Sequence, residues 1–266
     1  MENQIQPPET NKASNRNWIA LAIGGGCALI ACIAVVAAVV LAVYGPTLGK
    51  TFSSISTNPI SNPTSVPQIQ LPNVVIPPAR NPPQANGNKM GNPNAPVKII
   101  EYGDFQCSFC RQYWMLTEPQ IIQNYVATGK VYYEYRSVGG YIGPESADAA
   151  NAAYCAADQN KFWEYHDMLF ANYTGENAGN FTPDKLRQYA AAVNLNLDQF
   201  NTCINAGSHN DQVSQDFNDV SAIGFTGAPF FILTYSVNGQ TRTSTVDGAQ
   251  PYSVFQQTIG VALQGQ

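Results

Sequence analysis

Hydrophobic and polar positions divide the chain into three stretches of different character. From Trp18 to Tyr44, 27 positions carry no charged residue, a run longer than the roughly 20 residues a helix needs to cross a bilayer core. From Gly45 to Pro96 the pattern breaks up, with proline, asparagine, serine and threonine interrupting every apolar cluster. After that, regular periodicity sets in. Val97 to Tyr102 is a β-branched apolar run that suits a buried strand. The pattern predicts a helix from Cys107 to about Val126, ended by Gly129, and a second strand over Val131–Arg136. Strand, helix, strand is the βαβ unit of a parallel pair. Residues 144–222 read as a helical block: alanine-rich Glu145–Asp158, then Phe162, Tyr165 and Leu169 at helical spacing, Thr182 as an N-cap before Pro183, and two further helical stretches over Asp198–Asn205 and Asp211–Ile223. Strands return at Pro229–Tyr235 and Thr241–Val246, joined by Asn238-Gly239, a strong hairpin signal. A helix over Tyr252–Leu263 follows. The expected fold class is an α/β sheet interrupted by a helical insertion.

Composition turns these stretches into domains: a tail over 1–17, a transmembrane helix over 18–44, a disordered linker over 45–92, and a folded domain over 93–266. Eleven of the 18 prolines fall between Gly45 and Pro96, and such a stretch buries too little apolar surface to offset its ordering entropy. It reads as a semi-rigid spacer; the rival reading is a proline-rich ligand at Pro93-Asn94-Ala95-Pro96. The apolar run exceeds the length of a cleavable signal region, which favours an uncleaved anchor. A lipoprotein signal at Leu29-Ile30-Ala31-Cys32 is a third reading, opposed by the twelve uncharged residues that follow. Lys12 and Arg16 before the run against Lys50 after it place the N-terminus in the cytoplasm and the folded part outside. The net charge of −5 and the lack of a basic stripe exclude nucleic acid as the main partner.

Six cysteines remain to be placed. Cys27 and Cys32 lie in the apolar run, too far round a helix to pair. Cys107-Ser108-Phe109-Cys110 follows a strand and opens a helix, where two sulfurs one turn apart can close a disulfide. Unpaired N–H groups and the positive end of the helix dipole stabilise a thiolate there, so the Cys107 thiol should fall below about 8.5. Cys107 is expected to be the exposed nucleophile and Cys110 the deeper, resolving thiol. Two alternatives stay open: an inert structural disulfide, and an all-cysteine zinc site completed by Cys155 and Cys203. No second CxxC exists to strengthen the zinc reading.

Three blocks together resemble the DsbA branch of the thioredoxin superfamily: Glu101 to Cys110, Phe162 to Asp167, and Gly224 to Ile232. The resemblance spans roughly Asn92 to Ala262 and implies a thioredoxin-like fold, with a helical domain inserted between the βαβ unit and the C-terminal hairpin and helix. It implies a protein thiol–disulfide oxidoreductase that needs no cofactor beyond the Cys107–Cys110 pair and no metal. Pro229 matches the family's cis-proline beside the active cysteines, Glu101 its buried acid beneath the disulfide, and Ser108, Phe109, Ala228 and Phe230 positions that meet a substrate chain. A structural disulfide between Cys155 and Cys203 is implied in the same way, against two unpaired buried thiols. Implied partners are reduced or unfolded exported proteins and a separate DsbB- or VKOR-type membrane protein that restores the disulfide. Ser108 replaces a frequent proline and Ala228 a frequent threonine or valine, which bears on oxidising strength. The rival functions are a reductase or isomerase on the same fold, and a tethered peptide-binding module with a spectator disulfide.

Overall fold

The structure, a computed structural model, describes residues 74–265. The expected tail, membrane helix and greater part of the linker lie outside the described residues, as do Cys27 and Cys32. Among the described residues no helix is long and apolar enough to cross a membrane.

Five strands form one sheet: β1 (Lys89–Met90), β2 (Val97–Gly103), β3 (Val131–Ser137), β4 (Phe230–Val237) and β5 (Gln240–Asp247). Their order is β1-β3-β2-β4-β5. Parallel pairing of β2 with β3 sets Glu101 beside Tyr135, and antiparallel pairing of β2 with β4 sets Glu101 beside Phe231. The β4–β5 hairpin turns on Asn238 and Gly239, both at positive φ, the conformation that selects Asn-Gly.

The helix expected from Cys107 to Val126 is instead three pieces: α1 (Ser108–Leu116), α2 (Glu118–Ile121) and a wider π-type turn (Ile122–Val126). Pro119 has no N–H to donate and breaks the ladder, and the Ala127 N–H reaches back to the Ile122 carbonyl at 2.8 Å. Between β3 and β4 come α3 (Pro144–Ala157), α4 (Phe162–Ala171), α5 (Pro183–Ala192), α6 (Leu197–Ala206) and α7 (Asn210–Ser221); α8 (Tyr252–Gln264) follows β5. The helical insertion therefore lies where the pattern places it. A disulfide between Cys155 in α3 and Cys203 in α6 joins two helices of the insertion, with the α-carbons 5.8 Å apart.

Strand alternation sorts the side chains into two cores. The larger holds Val97 and Ile99 of β2, Tyr133 and Tyr135 of β3, and Phe231 of β4, packed with Tyr113 of α1, Phe162 of α4 and Phe255 of α8. Each such fully buried apolar side chain contributes about 1.5–3 kcal/mol. The smaller core gathers Tyr102, Val138, Val220 and Phe230.

The folded unit begins earlier than residue 93. Met90 is fully buried, and β1 pairs with β3 through Lys89 and Met90. Further upstream, the Val75 N–H donates to Asn172 Oδ1 at 2.7 Å, and Arg80 reaches Glu118 and Asp167. The segment 74–92, expected to belong to the linker, is thus a strap bound to the domain. Its prolines remove few needed donors because side chains, rather than a ladder, hold most of it.

Candidate active site

The turn from β2 into α1 builds the site. Cys107 occupies the N-cap of α1 in an extended conformation (φ −82°, ψ 119°), and its N–H donates to the Asp104 carbonyl at 3.0 Å. This aims its sulfur at the free amides of the first turn. Both Cys107 and Cys110 are free thiols, while Cys155 and Cys203 are bonded to each other rather than gathered with them, so the four do not form an all-cysteine cluster.

The two sulfurs are driven in opposite directions. The Cys107 thiol is held below its ordinary value, first by a hydrogen bond from Cys110, against the opposing effect of burial, and then by the N–H groups of Cys110 and Phe109. Cys110 is pushed well above its ordinary value by complete burial and by its role as donor to Cys107. The largest stabilisation of the Cys107 thiolate therefore comes from the partner thiol, with the helix amides adding to it. Its exposure also differs from expectation. Cys107 is only 7% exposed, whereas the neighbouring Phe109 is 61% exposed. The cause is the loop opposite, whose Ala228 carbonyl lies 3.2 Å from the Cys107 sulfur.

That loop carries the cis peptide bond of the chain's described residues, between Ala228 and Pro229. Pro229 is buried beside half-buried Ala228, and Ser108 is exposed on the other flank of the pair. Phe230 departs from the expected substrate contact. It is 3% exposed and its ring belongs to the smaller core, because strand alternation turns it inward. The exposed apolar surface nearby comes instead from Tyr141, whose ring meets Phe225 edge-on at 5.2 Å and whose hydroxyl faces Gly227.

Beneath the pair lie carboxyls. Glu101 is 2% exposed and accepts a 2.5 Å hydrogen bond from the Tyr133 hydroxyl, which lies 3.0 Å from that of Tyr113. Burial raises Glu101 well above the ordinary carboxylate range, and nearby Glu118 adds to the rise. Asp104 is a second buried acid that sequence reasoning missed. Its backbone N–H donates to Cys110 Sγ at 3.4 Å, and its side chain accepts from the Gln106 N–H at 2.8 Å and from the Ser146 hydroxyl. Burial pushes it up to about 6. Gly103 makes room for this packing, since an added Cβ would lie 2.7 Å from the Tyr135 hydroxyl. Other contributors passed over are Tyr113, Tyr133 and Arg80. The tyrosines read as ordinary core residues, and Arg80 was hidden in a proline-rich stretch. His166 is caged by aromatic rings and bonded to Asp167 at 3.0 Å, a packing role.

Comparison with known proteins agrees with this arrangement. The thioredoxin family model matches residues 84–258. The chain is 31% identical over 151 residues to Na(+)/H(+) antiporter NhaA 1 of Salinispora arenicola, covering 56% of this chain but 21% of that protein. The chain thus spans about a fifth of the length of that antiporter. It is 27% identical over 162 residues to the probable disulfide bond formation protein D of Bacillus cereus, covering 59% of this chain and 73% of that one. Among solved structures, oxidised BdbD of Bacillus subtilis superposes with a TM-score of 0.59 at 20% identity, over 69% of this chain and 96% of that one. The α-DsbA1 of Wolbachia pipientis gives 0.57 at 23% identity, over 66% and 90%; at these identities the likeness is one of fold. With about two-thirds of its length matched and a CxxC pair opposite a cis-proline, the chain belongs to the thioredoxin family, and its fold is the DsbA-type form with an inserted helical domain.

Proposed function

We propose that the chain is a membrane-tethered, extracytoplasmic oxidoreductase that introduces disulfides into exported proteins through Cys107 and Cys110. The observation that carries this reading is the opposition between the two sulfurs, one favoured as a thiolate and the other held as a thiol. Stabilising the reduced pair in this way makes its disulfide a stronger oxidant. A client thiolate attacks the Cys107 sulfur of the oxidised pair, the Cys107–Cys110 bond breaks, and Cys110 leaves with the electron pair and takes a proton from Glu101. The client's second thiol then attacks its own sulfur in the mixed disulfide, and Cys107 leaves as the thiolate. The client has passed two electrons to the pair; its two thiol protons go to solvent, which returns one to Glu101, and a separate DsbB- or VKOR-type membrane protein is the reoxidant that removes the two electrons. The exposed surface of Ser108, Phe109 and Tyr141 around Ala228 and Pro229 suits an extended chain rather than a small molecule.

The uncharged run over 18–44 supports the tether, and the Cys155–Cys203 bond fits a non-reducing compartment. Protease treatment of intact cells should remove the folded part of the full chain; protection equal to that of a cytosolic marker would overturn the placement. Cys107→Ser should abolish oxidation of a reduced test protein, and Cys110→Ala should accumulate mixed disulfides through Cys107. A reduction potential near about −120 mV supports the oxidase, whereas one near about −270 mV would make the chain a reductase.

A further inference from the structure

The strap contributes a charge to the redox centre. The Arg80 guanidinium lies between two helices, with Nη1 2.7 Å from Glu118 Oε2 of α2 and Nε 2.6 Å from Asp167 Oδ2 of α4, while Nη2 bonds Asp167 Oδ1. Glu118 is fully buried and Asp167 is 3% exposed. Breaking such a buried pair from one side leaves an uncompensated charge, which proteins tolerate poorly. The second oxygen of Glu118, Oε1, is buried with no hydrogen-bond partner, so Arg80 is what balances this carboxyl. Arg80 also lies outside the residues matched by the family model, which begin at 84.

We propose that Arg80 is a positioning residue of the redox reaction: by neutralising the carboxylates of Glu118 and Asp167, it fixes how much negative charge Glu101 faces, and so the ease with which Glu101 accepts the proton of Cys110. The inference rests on the oxidoreductase reading above and adds to it that the strap is part of the reaction machinery. Glu101 is faced by Cys107, Cys110 and Tyr113 from α1, by Tyr133 and Tyr135 from β3, and by Glu118 from α2. Asp104 precedes α1, and His166 stands beside Asp167 at 3.0 Å. Of these, Glu118 pushes Glu101 towards its neutral form and Arg80 pulls it back. Without the guanidinium, Glu118 and Asp167 present bare negative charge, and Glu101 keeps its proton to higher pH.

The step that exposes this is oxidation of the reduced pair by glutathione disulfide. The Cys107 thiolate attacks one glutathione sulfur and releases a glutathione thiolate. Cys110 then gives its proton to Glu101 and attacks Cys107, releasing a second glutathione. Two electrons pass from the cysteine pair to glutathione disulfide, yielding two glutathione thiols. The rate of the second step, read from the acid-quenched mixed disulfide by mass spectrometry, should rise with pH as Glu101 ionises. In the full-length chain, Arg80→Met is expected to move that rise upward by about one pH unit, making resolution about tenfold slower below it and unchanged well above it. Glu118→Gln should move it downward, the double variant should lie between the two, and Arg80→Lys should recover most of the original profile. If all profiles superimpose while thermal midpoints fall, Arg80 is only a structural clamp and the proposal fails. Should Arg80→Met not fold, an unshifted profile in Glu118→Gln overturns the proposal equally. Absence of any Cys107 mixed disulfide in the unaltered chain would instead sink the oxidoreductase reading itself.

Discussion

Asp104 shows how one buried carboxyl ties stability to reactivity. Its value in the folded chain, about 6 against an ordinary 3.8, means that the native state binds this proton more tightly than the unfolded chain does. The associated stability is complete below the ordinary value and is lost as pH rises from about 4 to 6, by about 3 kcal/mol. Asp104→Asn should flatten the stability profile across that window in denaturant titrations at several pH values. The same substitution removes a negative charge that raises Cys107, so the Cys107 thiol should titrate lower still, as followed by thiolate absorbance. Sequence could place the candidate pair Cys107 and Cys110 because their spacing at a strand-to-helix junction is a local property. It could not rank Asp104, because burial of a carboxyl depends on Ser146, 42 residues away. Nor could it show that Cys107 lies recessed, since the covering carbonyl belongs to Ala228.

At the scale of elements, the strands, the hairpin and the insertion were legible because each is set by local periodicity and by Asn238-Gly239. The long helix after Cys107 was misjudged for an equally local reason, Pro119, whose missing donor splits it into α1 and α2. The Cys155–Cys203 bond joins α3 to α6 across 48 positions, and that pairing came from the family resemblance, since spacing alone fixes no connectivity. Replacing both cysteines by serine should lower stability by about 3–4 kcal/mol on the chain-entropy account, measured by urea unfolding. Oxidation of the Cys107–Cys110 pair should persist in that variant under folding conditions, because the bridge lies within the insertion and touches neither active sulfur.

For the molecule as a whole, the domain boundary was the hardest feature to read. Proline content argued for a spacer up to residue 92, yet Lys89, Arg80 and Val75 fasten the preceding segment by contacts with residues 38 to 97 positions away, and composition is blind to such contacts. A chain beginning at Asn92 would lose Arg80 and leave Glu118 and Asp167 buried without their cation. It should be about 3–5 kcal/mol less stable than a chain beginning at Asn73. The bridge between Cys155 and Cys203 has a further consequence. If this protein supplies disulfides to others, each new copy is first a customer of the same trade, consuming one oxidising equivalent to complete its own insertion. Newly made molecules must then be matured either by older copies or by a different donor, so a cell starting with none would show a lag before its exported proteins are oxidised.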